Sequence, residues 1–146
     1  MYFEDLNIGD VVVIEERLVE EEEMLAFAYR YNGAPCHTNK ELAAKSRVGR
    51  ITAPGAFTFS LMWGGYAPTV FGGEHEIAGT YLNITYKGPV FAGDRLHGTV
   101  TLYDKVDRNK YNGEIFVRMK VYNQNDEVVL ISESNDIIMR RPQEEK

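Results

Sequence analysis

The spacing of apolar and polar positions divides the chain in two. In the second half the period is two. Leu82, Ile84 and Tyr86 alternate with Tyr81, Asn83 and Thr85, which predicts a half-buried strand. Leu96, Val100 and Leu102 alternate with Arg95, His97, Thr99 and Thr101 and predict a second, and Ile115, Val117, Met119 and Val121 predict a third. Asn123-Gln124-Asn125-Asp126 reads as a hairpin turn, and the segment from Glu127 to Met139 supplies the last strand. In the first half, Gly9-Asp10 is a turn and Val11-Val12-Val13-Ile14 a β-branched first strand. The acidic block Glu20 to Glu23, followed by Met24, Phe27, Ala28 and Tyr31, predicts an amphipathic helix whose N-terminal dipole favours the carboxylates.

Asn32-Gly33 breaks that helix, with glycine suited to a left-handed ending. Pro35 stiffens the loop that carries Cys36 and His37. Thr38 or Asn39 caps a short helix that Gly49 ends. Pro54 then opens a helix from Gly55 to Phe71 that is apolar on nearly every face, so it is predicted to be buried, with Pro68 kinking or ending it. Gly72 to Glu76 reads as a loop, and the tail RRPQEEK as polar and frayed. The order is strand, helices, then an antiparallel meander, a segregated α+β arrangement in which the sheet wraps one apolar helix. One sheet leaves that helix partly uncovered, which predicts a homodimer.

Composition narrows the partners. The 146 residues fit one domain, 1–146, and 44% hydrophobic residues supply a core. A net charge of −6 argues against nucleic acid. Lys45, Arg47 and Arg50 form a local basic group, and the ordinary reading of three such cations is solvated surface. A single cysteine precludes an intrachain disulfide and fits a reducing cytoplasm. The N-terminal residues lack a signal-peptide pattern, and no run is long enough to span a membrane. The sequence therefore predicts a cytoplasmic protein with no membrane association.

The candidate chemistry centres on His37, on a constrained loop ahead of the Pro54-Gly55 helix start. Cys36 has no evident orienting group and reads as a small loop residue. His75, between Glu74 and Glu76, lacks further ligands at metal spacing and reads as a solvated loop, so no metal site is predicted. His97 reads as surface, and Phe57, Phe59, Trp63 and Tyr66 as core.

Several segments resemble one family. Tyr2-Phe3-Glu4-Asp5-Leu6 with Gly9-Asp10, Pro35-Cys36-His37-Thr38, Arg50 to Gly55, and Pro89-Val90-Phe91-Ala92-Gly93-Asp94 are similar to segments of the MaoC-like (R)-specific enoyl-CoA hydratases and dehydratases. The resemblance covers most of the chain and implies a hotdog fold. It also implies hydration or dehydration at the α,β-bond of an enoyl or 3-hydroxyacyl thioester of coenzyme A or acyl carrier protein, in fatty acid metabolism, with no separate cofactor. On this pattern His37 matches the catalytic histidine. Gly55 matches the residue whose N–H polarises the thioester carbonyl, and Ser60 matches the serine of the buried helix. The family's catalytic aspartate falls at Asn32, and Ala34 replaces a usual asparagine. An amide cannot take a proton from water at neutral pH. The departure leaves open a slow hydratase, one with another base, or a non-catalytic subunit paired with an active homologue. A hotdog thioesterase is a further alternative, with Glu41 as the available carboxylate. Asn32-Gly33 is also a pairing prone to deamidation, which would create an aspartate at that position.

Overall fold

The computed structural model describes residues 1–143. A single 3-10 turn, Phe3–Asp5, leads into β1 (Val11–Leu18). Three helices follow, α1 (Glu21–Tyr31), α2 (Pro35–Thr38) and α3 (Lys40–Ala44), and then the central helix α4 (Gly55–Tyr66). The remainder is β2 (Glu76–Ala78), β3 (Leu82–Tyr86), β4 (Arg95–Asp107), β5 (Asn112–Tyr122) and β6 (Val128–Met139). All pairings are antiparallel, in the order β1-β4-β5-β6-β2. β3 shares the same edge of β6 as β2, pairing Leu82 with Ser134 and Tyr86 with Leu130. The chain steps away from the sheet between β2 and β3, and Asn135 fills the gap. Its Oδ1 accepts from the N–H groups of Thr80 and Tyr81, both at 2.8 Å, and its Nδ2 donates to Glu114 at 2.6 Å.

The core lies between one face of this sheet and α4. Leu96, Val100 and Leu102 of β4, Ile115, Met119 and Val121 of β5, and Leu130 and Ile138 of β6 point inward against Phe57, Met62 and Tyr66. Each such side chain contributes about 1.5–3 kcal/mol by leaving water. At Gly98 the strands β4 and β5 approach so closely that a Cβ would stand 2.4 Å from the Lys120 carbonyl oxygen, so only glycine fits.

Several expectations change. β1 continues past Ile14 to Leu18. α1 is capped by Asn32 at φ −154° and ψ 79°, and Gly33 is not left-handed; Gly49, φ 81°, is. The segment around His37 is not a stiff loop but one helical turn started by Pro35, whose fixed φ suits the first helical position. Asn39 caps α3, accepting from the Leu42 N–H at 3.0 Å. α4 stops at Tyr66 rather than Phe71, because Pro68 has no N–H for the helical ladder and the chain tightens into the 3-10 turn Ala67–Thr69. α4 is buried on one side: Phe57, Thr58, Met62 and Tyr66 are covered, while Ala56, Ser60 and Gly64 face out. The Gly72 to Glu76 segment contains a 3-10 turn and runs into β2.

His75 is not a solvated loop residue. Its ring stacks on Tyr2 at 3.9 Å and its Nδ1 pairs with the Met1 carbonyl oxygen at 3.2 Å. The tail is pinned as far as Arg141. The Arg140 guanidinium sits over the Phe3 ring and binds Asp107, and Arg141 binds Asp5. Residues 144–146 of the expected frayed tail lie outside the described residues. Among the described residues, no helix is long and apolar enough to cross a membrane.

Candidate active site

α2 presents His37 because its turn is fastened at both ends. The Thr38 hydroxyl donates to the carbonyls of Gly33 (3.2 Å) and Ala34 (3.1 Å). The Thr52 N–H donates to the Cys36 carbonyl at 3.2 Å, and the Thr52 carbonyl oxygen lies 2.7 Å from His37 Nδ1. A carbonyl only accepts, so Nδ1 carries the hydrogen and the neutral ring keeps its lone pair on Nε2. The half-buried imidazole thus leaves Nε2 as its unengaged nitrogen among the described contacts.

The strand-like segment that holds it is itself anchored. The Ala53 N–H donates to the Val90 carbonyl at 2.8 Å. Val90 belongs to the Pro89 to Asp94 turn, where buried Asp94 accepts from the Phe91 N–H at 2.9 Å and from Gln124 at 3.1 Å, and Gly93 adopts φ 90°. The Pro-Val-Phe-Ala-Gly-Asp motif therefore works as scaffold, holding residues 52–55 against His37.

Pro54 caps α4, and its carbonyl accepts from the N–H groups of Phe57 (3.0 Å) and Thr58 (3.2 Å). The N–H groups of Gly55 and Ala56 are left outside the helical ladder at the positive end of the helix dipole. Gly55 borders a recess of about 180 Å³ lined also by Thr52, Thr58, Tyr86 and Val129. The Tyr86 ring lies so near that a Cβ on Gly55 would meet it at 2.3 Å. Close approach by Tyr86 is thus one reason for glycine here.

The structure joins His37 to Thr52 through these bonds, and Gly55 follows three residues later on the same segment, beside a recess that His37 does not line. It does not place Ser60 with them. Ser60 is five residues past Gly55, roughly 140° round the helix at 100° per residue. It is exposed beside a different recess, with Arg17, Glu23, Phe27 and Phe57. The hydroxyl of α4 at the Gly55 recess is that of Thr58, one turn on. Sequence reasoning missed Thr58 and Tyr86; the i, i+3 spacing from Gly55 could have found the first, whereas the second depends on how β3 lies against α4.

Asn32 sits on the α1–α2 connection, exposed, and its Oδ1 accepts a long 3.4 Å bond from the Ala34 N–H. Glu41, on the exposed side of α3, lines neither of these recesses. Arg50 is more than solvated surface: its guanidinium stacks 3.6 Å from the Phe91 ring centroid and, with Lys40, lines a third recess of about 330 Å³. Cys36 is exposed with a free thiol. His97 stacks on Tyr122 and approaches Asp126 at 3.2 Å. Of the aromatics expected in the core, Phe57 and Tyr66 are buried, while Phe59 and Trp63 are half-buried and line a recess described below.

Residues 6–123 match the family model described as a MaoC like domain. Among solved structures, an Archaeoglobus protein described as a monoamine oxidase regulatory protein is 27% identical, with a TM-score of 0.91, covering 97% of this chain and 96% of its own. A MaoC-like dehydratase from Rhodospirillum rubrum is 25% identical, with a TM-score of 0.89, covering 98% and 99%. A Mycobacterium tuberculosis protein described as a double hotdog fold is 16% identical, with a TM-score of 0.82 over 100% of this chain and 46% of that one. At that identity the likeness speaks to the fold alone, and the fold here is a hotdog.

Proposed function

This chain belongs to the MaoC-like domain family, and on that premise we propose that it hydrates or dehydrates the α,β-bond of an acyl-coenzyme A thioester. The single observation that carries the reading is His37 held at Nδ1 by the Thr52 carbonyl, with Nε2 left basic, on the segment that leads into α4 at Gly55. A thioester carbonyl seated on the Gly55 N–H would be polarised by that donor and the helix dipole. His37 Nε2 then takes a proton from water, the hydroxide adds at C3, and the imidazolium returns the proton at C2. Water is added across the double bond and the histidine is regenerated; dehydration is the reverse. Asn32 can orient the water without accepting its proton. Arg50 and Lys40 offer a place for the phosphates of coenzyme A. The test is loss of the conjugated enoyl-thioester absorbance with crotonyl- and decenoyl-CoA; absence of both turnover and calorimetric binding would sink the reading.

Asn32 favours one second reading, a non-catalytic subunit that pairs with an active homologue. Purification from native cells separates the two: a pure homodimer counts for the first, a stable heteromer for the second. The thioesterase alternative has no support in the placement of Glu41, and release of free thiol from acyl-CoA would be its signature.

The homodimer reading rests on the β3 edge. β3 pairs with β6 on one side only, and Leu82 and Tyr86 on it are 50% and 53% exposed. A bare apolar strand edge is a template for another chain. Sedimentation is expected to give a dimer of the 16.6 kDa chain. Leu82→Lys is expected to shift it to monomer, and a wild-type monomer would rule this association out.

A further inference from the structure

The inward row of β6 does not read like the floor of an apolar core. Leu130, Ser132, Ser134, Asp136 and Ile138 alternate onto the face beneath α4, and all are buried. Three successive inward positions are therefore polar, where burial ordinarily selects apolar side chains. The Ser132 and Ser134 hydroxyl oxygens are buried with no hydrogen-bond partner among the described residues. Ser134 is 6% exposed and Asp136 4%. Asp136 is hydrogen-bonded to Glu76 of β2, and among the described residues no cation pairs with either carboxylate. Desolvation, and then the neighbouring Glu76, push the Asp136 carboxyl up to about 8, so Asp136 largely keeps its proton at neutral pH.

Ser134, Asp136 and Glu76 line a recess of about 470 Å³ whose other wall is Phe59 and Trp63, stacked at 5.4 Å. Gly55, Phe59 and Trp63 are spaced four apart, so they share one face of α4. β3 runs along that face, with Tyr86 against Gly55 and Leu82 lining the far recess. The distance from Gly55 to Trp63 along the helix is about 12 Å at 1.5 Å per residue.

We propose that this polar recess receives the far end of the acyl group, and that the preferred acyl chain ends in a hydrogen-bond donor, a hydroxyl or an ammonium, seated on Ser134, Asp136 and Glu76. The inference rests on the acyl-thioester reading above and adds the class of acyl group. A methyl end would cover two polar side chains without pairing them, which costs affinity. A carboxylate end would be brought against two acidic side chains in a recess where no cation offsets it. A donor end pairs with the Ser134 oxygen and the carboxylates together.

The test is calorimetric binding of decanoyl-CoA and its ω-hydroxy, ω-amino and ω-carboxy derivatives to the full chain. The expected result is binding of the hydroxy and amino forms at least about tenfold tighter than decanoyl-CoA, with the carboxy form weakest. In Asp136→Asn, which keeps the side chain's shape, the ratio of amino to methyl form should fall toward one. If that variant does not fold, the wild-type ranking alone decides. Equal or tighter binding of decanoyl-CoA overturns the donor-end proposal and leaves the thioester reading intact. Binding of none of the four overturns the thioester reading itself, and this proposal with it.

Discussion

His37→Gln is expected to lower enoyl-thioester hydration by about 10²–10⁴-fold, the usual span for loss of a general base. The Thr52 N–H bond to the Cys36 carbonyl and the Thr38 hydroxyl bonds do not involve the ring, so α2 stays docked. No glutamine nitrogen has a lone pair available to a proton at neutral pH. What the substitution removes is the ring's contact with Thr52, 2.7 Å to its carbonyl, from a half-buried position, so the fold should survive, and circular dichroism and thermal melting of the variant check that. Steady-state rates with the best enoyl-CoA then read the chemistry alone. A folded His37→Gln protein with wild-type turnover would remove His37 from the mechanism and with it the reason for placing the reaction at the α2–α4 junction.

The opposite effect is expected at Asn32. Asn32→Asp supplies the carboxylate that the family places at this position, and turnover should rise by up to about 10²-fold. The substitution is structurally mild. Asn32 is exposed, and its side-chain contact, Oδ1 accepting from the Ala34 N–H at 3.4 Å, is one that an aspartate keeps. Intact mass of the wild-type protein must show unmodified Asn32, because deamidation at Asn32-Gly33 would imitate the variant. A gain shows that the scaffold is competent and that the natural chain runs slowly for want of a base. No change in an active protein assigns the base role to His37 alone. Binding without turnover in either protein favours the non-catalytic subunit.

The period-two segments after Leu82 showed the meander because each strand has one buried face, and alternation records that directly. The proline-led segments that carry His37 and Gly55 were legible because their reason is local: Pro35 starts one turn, and Pro54 starts another. What escaped depended on contacts between distant segments. β2 is three residues long and exists because β6 offers it an edge. Tyr86 reaches Gly55 only once β3 lies along α4. Ser60 was placed by similarity of segment, whereas helical rotation carries Thr58 to the recess instead. The polar row Ser132, Ser134 and Asp136 was hidden in the alternation itself. In a strand with one wet face, polar residues at every second position are read as solvent-facing, and here they are the inward ones.

The strand order also sets how quickly different parts of the molecule can find each other. β4, β5 and β6 form two consecutive hairpins, their turns bridged by the bonds Asn109 N–H to the Asn112 carbonyl and Asn123 N–H to the Glu127 carbonyl. β1, by contrast, pairs Val11 with Thr101 across most of the chain. Closing a short turn costs less chain entropy than closing that long loop, so this three-stranded sheet should form in the folding transition state, with β1 and α4 docking afterwards. In stopped-flow experiments Val121→Ala in β5 should mainly slow folding, and Ile14→Val in β1 mainly accelerate unfolding. The reverse pattern would mean that the central helix and first strand nucleate the fold. In the expected order, the long polar-floored sheet face stands uncovered in water until α4 arrives, and Ser132, Ser134 and Asp136 keep that transient face from being wholly apolar.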